Sequence, residues 1–384
     1  MSGVVASAAT GTSRAPAALH AARATAGGPT VEPWAAARRV LCVRLDSLGD
    51  VLMTTPAIRA LRDAAAGRRV TLLTSTAGAA LAPLVREIDE VVVFDAPWMK
   101  STGQRPTHDA DMVARLAAGG FDAAAIFTVC TQNPLPAAYL CHLAGIPLRL
   151  AHCRENPYAL LTDWVPEPEP DGPVMHEVRR QLDLVGTVGC ATPDERLSLT
   201  VPEPARRRVA ALMAALGADG RAPRVVIHPG ASAPSRRYPP EQFARAASLL
   251  AARGCAVVFT GSGAEEVALV ERIRAAVPQP TASLAGRLDL AELGAAVELA
   301  DVLVVNNTGP AHMAAALGTP LVDLYALTNP QHTPWLARAR VLSHDVPCRN
   351  CFKSVCPMGH HDCLRRIEPE TVAAAALELL ETGP

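Results

Sequence analysis

Residues 38–65 read RRVLCVRLDSLGDVLMTTPAIRALRDAA. A short β-rich apolar run, RRVLCVRL, ends in the turn DSLGD, and a helical pattern of apolar residues follows at once. Working outward, VTLLTS and EVVVFDA read as strands with the helical stretch AGAALAPLVREI between them, and FDAAAIFTV and IPLRLAH read as two more strands. Strands alternating with helical patterns predict βαβ units and a parallel sheet. A second series starts near residue 222. PRVVIHPG, CAVVFTGSG, DVLVVNNTG and TPLVDLYAL are its strands. EQFARAASLLAARG (with a Gly stop), AEEVALVERIRAAV, LDLAELGAAVELA and PAHMAAALG are its helices. The fold class is therefore α/β, with two Rossmann-like halves. Such halves expose the carboxyl ends of their strands, and a cleft between those ends is the expected ligand position. The linker is expected near 195–220, after a Pro-rich acidic stretch, WVPEPEPDGPV, at 164–174.

The chain has 384 residues, which favours two domains. Apolar residues are 49%, charged residues 19% and the net charge is −1, so no nucleic-acid partner held by charge is expected. No uninterrupted apolar run reaches about 18 residues, so no membrane span is expected. Residues 1–37 are rich in Ala, Ser, Thr, Gly and Pro, with no acid before Glu32. They read as a disordered tail, and an organelle transit peptide has a similar composition. Six cysteines (Cys42, Cys130, Cys141, Cys153, Cys190, Cys255) sit singly, as buried thiols in a reducing compartment do. Cys348, Cys351, Cys356 and Cys363 cluster as C-x2-C-x4-C-x6-C, with His360 and His361 among them. That spacing makes them a candidate structural zinc site; thiols packed in a compact loop are the alternative.

Four strand-to-helix turns carry the chemistry. In Arg44-Leu45-Asp46-Ser47-Leu48-Gly49-Asp50, Gly49 allows close backbone approach, and a helix N-terminus suits a phosphate. Asp50 has two readings there: an N-cap, or a carboxylate that takes a proton from a substrate hydroxyl. His228-Pro229-Gly230-Ala231-Ser232 is a small-residue loop that can cradle a phosphate or nucleotide, and Arg236 and Arg237 put two cations beside it. In Thr260-Gly261-Ser262-Gly263-Ala264-Glu265 the Glu either bonds ribose hydroxyls or simply sits in a helix first turn. None of these turns is GxGxxG. In Asn306-Asn307-Thr308-Gly309-Pro310-Ala311-His312, Pro310 opens a helix, and His312 lies one turn into a run of Ala, Met and Leu.

Taken together, R-L-D-S-L-G-D, H-P-G-A-S, R-R-Y-P, N-N-T-G-P-A-H and A-A-A-L-G-T-P resemble glycosyltransferase family 9, the ADP-heptose:lipopolysaccharide heptosyltransferases. The resemblance runs from Arg38 to about Leu380. It implies a GT-B architecture: an acceptor domain at 38–200, and a nucleotide-sugar domain at 201–384 with a Cys-rich loop at 348–363. It also implies a final helix of the kind that often crosses back onto the first domain. The reaction implied is inverting sugar transfer with no metal required for catalysis, and Asp50 as general base. Ser47 and Gly49 would lie beside the donor phosphates, and Arg236 would neutralise the diphosphate. Glu265 would hold the ribose, and Thr308, Gly309 and His312 would form the phosphate turn. Two residues depart from the family pattern. Asn307 stands where Asp is common, which keeps hydrogen-bond geometry but removes a charge near the sugar. Tyr238 stands where Trp is common.

The expected partners are a nucleotide-diphospho-sugar donor, with ADP-heptose first, and a glycan or glycolipid acceptor. The expected location is the cytoplasm, with at most peripheral contact at the inner membrane face. Alternatives are a different donor or a non-lipopolysaccharide acceptor, a sugar-nucleotide epimerase of the same fold, or a non-catalytic nucleotide-sugar-binding protein. Residues 95–165, where the acceptor would bind, carry no recognisable motif.

Overall fold

A computed structural model describes residues 31–99 and 109–382. The apolar run that opens the sequence argument becomes β1 (Arg39–Arg44), buried along nearly its whole length. It pairs in parallel with β2 (Arg69–Thr74) on one side and β4 (Ala123–Ile126) on the other. β3 (Glu90–Val93), β5 (Leu148–Cys153) and β6 (Asp163–Pro166) complete a six-stranded parallel sheet in the order β3-β2-β1-β4-β5-β6. The chain builds outward from β1 through β2 and β3, then returns to the other side of β1. The switch point therefore lies between the carboxyl ends of β1 and β4, where open α/β sheets bind ligands.

The second unit repeats the plan with β7 (Arg224–His228), β8 (Ala256–Phe259), β9 (Ala282–Ser283), β10 (Val302–Asn306), β11 (Leu321–Leu324) and β12 (Ala339–Leu342), in the order β12-β11-β10-β7-β8-β9. Its switch point lies between β7 and β10. Both faces of this sheet are covered. Val225, Phe243, Val304 and Val372 belong to one apolar cluster, and Val209, Val226, Leu303 and Ala314 to the other. Strands buried on both faces read as continuous apolar runs, which is why the central strands stand out in the sequence.

The break between the compact units falls between Ser198 and Leu199, beside the expected 200/201 boundary. Several expectations need correction. The tail expected over 1–37 lies outside the described residues as far as residue 30, but Val31–Ala36 is helical and Trp34 is fully buried. Trp34 Nε1 donates to Asp163 Oδ2 at 3.0 Å, and Arg68 donates to the carbonyls of Trp34 and Ala37, so this turn is stitched to the sheet. The expected linker at 195–220 contains a helix, Glu203–Ala215, whose Val209 and Met213 are buried. In AGAALAPLVREI the helix stops after Thr76–Ala79, and Pro83 sits in a separate single turn, Ala82–Leu84. In the final helix, Pro369–Glu381, Val372, Ala376 and Leu379 enter the second unit's own core.

Candidate functional site

In the first unit the switch-point turn is organised by Arg44, the last residue of β1, whose side chain is fully buried. Its guanidinium reaches three carboxylates: Asp46 at 3.0 Å, Asp50 at 3.3 Å and Glu177 at 2.8 Å. Burial works against the charge on Arg44, but Asp46, Glu177 and Asp50 outweigh it and raise its pKa. Ser47 is the N-cap of the helix Leu48–Asp63, and Asp50, the third helical residue, closes a capping box with it, so the capping role is present and does not by itself decide the second reading. Asp50 Oδ2 accepts from Ser47 N at 3.1 Å and Ser47 Oγ at 2.6 Å, while Oδ1 faces Arg44. Gly49 is buried beneath, and Ser47 is exposed. Asp46 is pushed up to about 6 by burial, with Asp50 and Glu177 adding to the rise, Arg44 pulling it down and Gln132 donating to it. A cavity of about 290 Å³ opens here, lined by Asp46, Trp98, Thr131, Gln132 and Asn133 among others. This places the carboxyl ends of β1 and β4 on one small pocket within the stretch that carries no motif.

In the second unit, the turns after β7 and β8 share one cavity of about 860 Å³. Gly230 and Ser232 line it from the loop after β7, and Glu265 and Glu266 from the turn after β8. Arg237, His361 and Arg365 complete the charged lining. Gly230 is glycine for a reason of space: a Cβ there would overlap the Glu266 carboxylate. A Cβ added at Gly261 would lie 3.1 Å from the Cβ of the same residue, tighter than ordinary contact. Glu266, not Glu265, holds the turn together. It accepts from Ser262 N at 2.6 Å and lies 3.8 Å from His228 Nε2, while Glu265 is exposed at the rim. His228 is buried, its Nδ1 is 3.1 Å from Thr260 Oγ1, and burial lowers its pKa against the pull of Glu266.

The fourth turn, at the end of β10, does not line that cavity. Asn306 ties it to the loop after β7: its Nδ2 donates to Pro229 O at 2.8 Å and its Oδ1 accepts from Tyr238 N at 3.1 Å. Thr308 is the N-cap residue of the helix Gly309–Leu317, Gly309 is half-buried and His312 is buried. The adjacent arginines diverge. Arg237 Nε donates to Ala231 O at 2.8 Å on the cavity side, whereas the Arg236 charge acts on Asp323 and Tyr325. Tyr238 is a core residue, donating to Ile367 O at 2.7 Å and packed edge-on to Phe243. The cysteine loop braces this region. Ser235 donates to Lys353 O at 2.9 Å, and Asn350 N and Phe352 N each donate at 2.7 Å, to the carbonyls of Leu327 and Thr328. Its four cysteines are free, and Cys348 Sγ is 3.7 Å from His360 Nε2. Among the described residues no three His, Cys, Asp or Glu side chains are gathered as a metal-holding group, while burial and the neighbouring Cys356, Cys348 and Cys351 raise the Cys363 thiol above its usual range.

Two six-stranded parallel sheets with marked loops at each switch point define a two-unit α/β protein. The sequence model of Glycosyltransferase family 9 (heptosyltransferase) matches residues 112–361, and the chain belongs to that family. It is 32% identical over 168 residues to lipooligosaccharide heptosyltransferase 2 of Haemophilus influenzae, covering 42% of this chain and 48% of that one. It is 27% identical over 267 residues to lipooligosaccharide heptosyltransferase 2 of Haemophilus ducreyi, covering 66% of this chain and 76% of that one. The chain thus spans about half the length of some of the curated relatives it matches. The structure described as Escherichia coli ADP-heptose LPS heptosyltransferase II shares the fold, with TM-score 0.71 and 23% identity over 90% of this chain and 99% of that one. Among the described residues no helix is long and apolar enough to cross a membrane.

Proposed function

We propose that the chain transfers heptose from ADP-heptose to a lipopolysaccharide core or related glycan acceptor, with inversion and with Asp50 as general base. The observation that carries the reading is the Asp50 carboxylate, held between Ser47 and the buried Arg44 at a switch point in a chain of this family. Asp50 takes the proton of an acceptor hydroxyl as its oxygen forms the new bond to the anomeric carbon. The bond from that carbon to the diphosphate breaks on the opposite face, and ADP leaves with the bonding pair. Arg236 and the N-terminus of the helix Gly309–Leu317 are the groups offered to that anion, a task they can perform without a metal ion. Glu265 and Glu266 at the cavity rim are suited to ribose hydroxyls. The cavity beside Asp46 and Gln132 is suited to the acceptor, and work at the cytoplasmic membrane face fits such substrates.

The first test is calorimetric binding of ADP, GDP, UDP and dTDP to the full chain. Preference for ADP supports the donor assigned here, and preference for another base overturns it. Asn307 in place of the common Asp favours the second reading, a different donor sugar, which the same panel run with whole nucleotide-sugars would reveal.

A further inference from the structure

The second unit contains a buried carboxyl group that the mechanism above does not use. Asp323 lies on β11, beside Val305 of β10, and its side chain is fully shielded from solvent. Its Oδ2 is 3.5 Å from Asn307 Nδ2, and its Oδ1 has no hydrogen-bond partner among the described residues. Asn307 Nδ2 also donates to His332 O at 2.9 Å. Both amide hydrogens are thereby directed into the protein, which leaves the amide oxygen as the group Asn307 offers to a ligand. A buried carboxyl with one free oxygen is costly and calls for an explanation. It stands one strand away from Asn307, the position where the motif resemblance implies an acid.

We propose that Asp323 is a positioning residue of the donor crevice: the carboxyl group missing at 307 is supplied from the neighbouring strand, and Asn307 relays it to the sugar of a bound nucleotide-diphospho-sugar. The inference rests on the donor reading given above. The groups facing Asp323 are Asn307 from the turn after β10, Arg236 from the Pro234–Arg236 turn, and Tyr325 from its own strand. The carbonyl of His332 shares the Asn307 amide. Burial pushes the Asp323 carboxyl up to about 7, with the Asn307 amide and the Arg236 charge pulling it back. Near neutrality it therefore changes charge, which a purely space-filling residue would not do.

The test is a double-mutant cycle on the full chain: Asp323→Asn, Asn307→Asp, and the two together. The readout is calorimetric affinity for ADP-heptose and, separately, for ADP. Each single substitution is expected to weaken ADP-heptose binding about tenfold at pH 8, and the transposed pair to recover to within about threefold of wild type. Asn307→Asp fails by putting two carboxyls on one proton. The wild-type to Asp323→Asn affinity ratio should approach one at pH 5.5, where a protonated acid resembles an amide, and grow above pH 7. Additive effects in the cycle, or a ratio flat with pH, would overturn the proposal. If Asn307→Asp does not fold, the pH-dependent ratio from Asp323→Asn alone decides. Failure of the wild type to bind either ADP or ADP-heptose would instead sink the donor reading itself.

Discussion

The two switch points are built on one topology and opposite electrostatics. In the first unit a buried cation, Arg44, gathers Asp46, Asp50 and Glu177 around it. In the second, a buried acid, Asp323, lies under neutral amides, with Arg236 and Arg237 on diverging sides of the adjacent loop. A proton acceptor needs a carboxylate that stays charged when water is excluded, and a neighbouring guanidinium provides that. An anion-binding crevice needs backbone N–H groups and cations at its edge. Under the proposed function, the contrast suits base chemistry in one unit and leaving-group chemistry in the other.

The contrast is most directly broken by removing its central cation. Arg44→Met leaves three carboxylates without their shared partner, one of them the fully buried Glu177. The expected loss is about 3–5 kcal/mol of unfolding free energy, read from urea denaturation. A loss below 1 kcal/mol would mean that Arg44 does not organise the turn. Next in size, Asp50→Ala should lower kcat for sugar transfer by about 10²–10⁴-fold while ADP affinity stays within about twofold. A parallel loss of ADP binding would place Asp50 in the donor crevice instead and erase the division between the units. Gly230→Ala should weaken ADP binding with little loss of stability, because the new methyl displaces the Glu266 carboxylate, the movable end of a half-buried side chain. Unchanged ADP affinity in that variant would remove the loop after β7 from the nucleotide site.

The parts of this arrangement legible in the sequence are those dictated by local rules. β1, β2, β7, β10 and β11 are apolar runs ending in turn residues, and the helices after them open with Ser47 or with Pro310 behind Thr308. The strands that escape such reading are all at sheet edges. β6 lies inside a Pro-rich acidic stretch, β9 has two residues and β12 is only half-buried. An edge strand is half-covered and tolerates Pro, so its apolar signal fades. Trp34 looks like part of a polar tail because its partners, Arg68 and Asp163, are distant in sequence. Glu265 and Glu266 cannot be separated from sequence, since successive helix residues point about 100° apart and only the loop position decides which faces inward. Asp323 was invisible for a deeper reason. Its environment is made by two other strand ends, and no local pattern marks a buried acid in an otherwise apolar strand.

Both units contain a carboxyl raised above its usual range, and the smallest effects come from comparing them. For such a group the folded state prefers the proton. Its contribution to stability is therefore full below the ordinary carboxylate pKa and is lost as pH rises through the folded value. Asp323, raised from 3.8 to about 7, should lose it between pH 4 and 7. Asp323→Asn is then expected to gain about 1–3 kcal/mol over wild type at pH 8, a gain that shrinks toward pH 4. Asp46 is raised only to about 6, because Arg44 and Gln132 hold its charged form against burial and its acidic neighbours. Asp46→Asn should gain roughly two-thirds as much as Asp323→Asn, with the difference developing between pH 4 and 6 and then levelling off. Thermal melts of both variants at pH 4, 6 and 8 check the ranking. If Asp46→Asn gained as much as Asp323→Asn, the Arg44 cluster would not be compensating its acids, and the electrostatic difference between the two switch points would collapse.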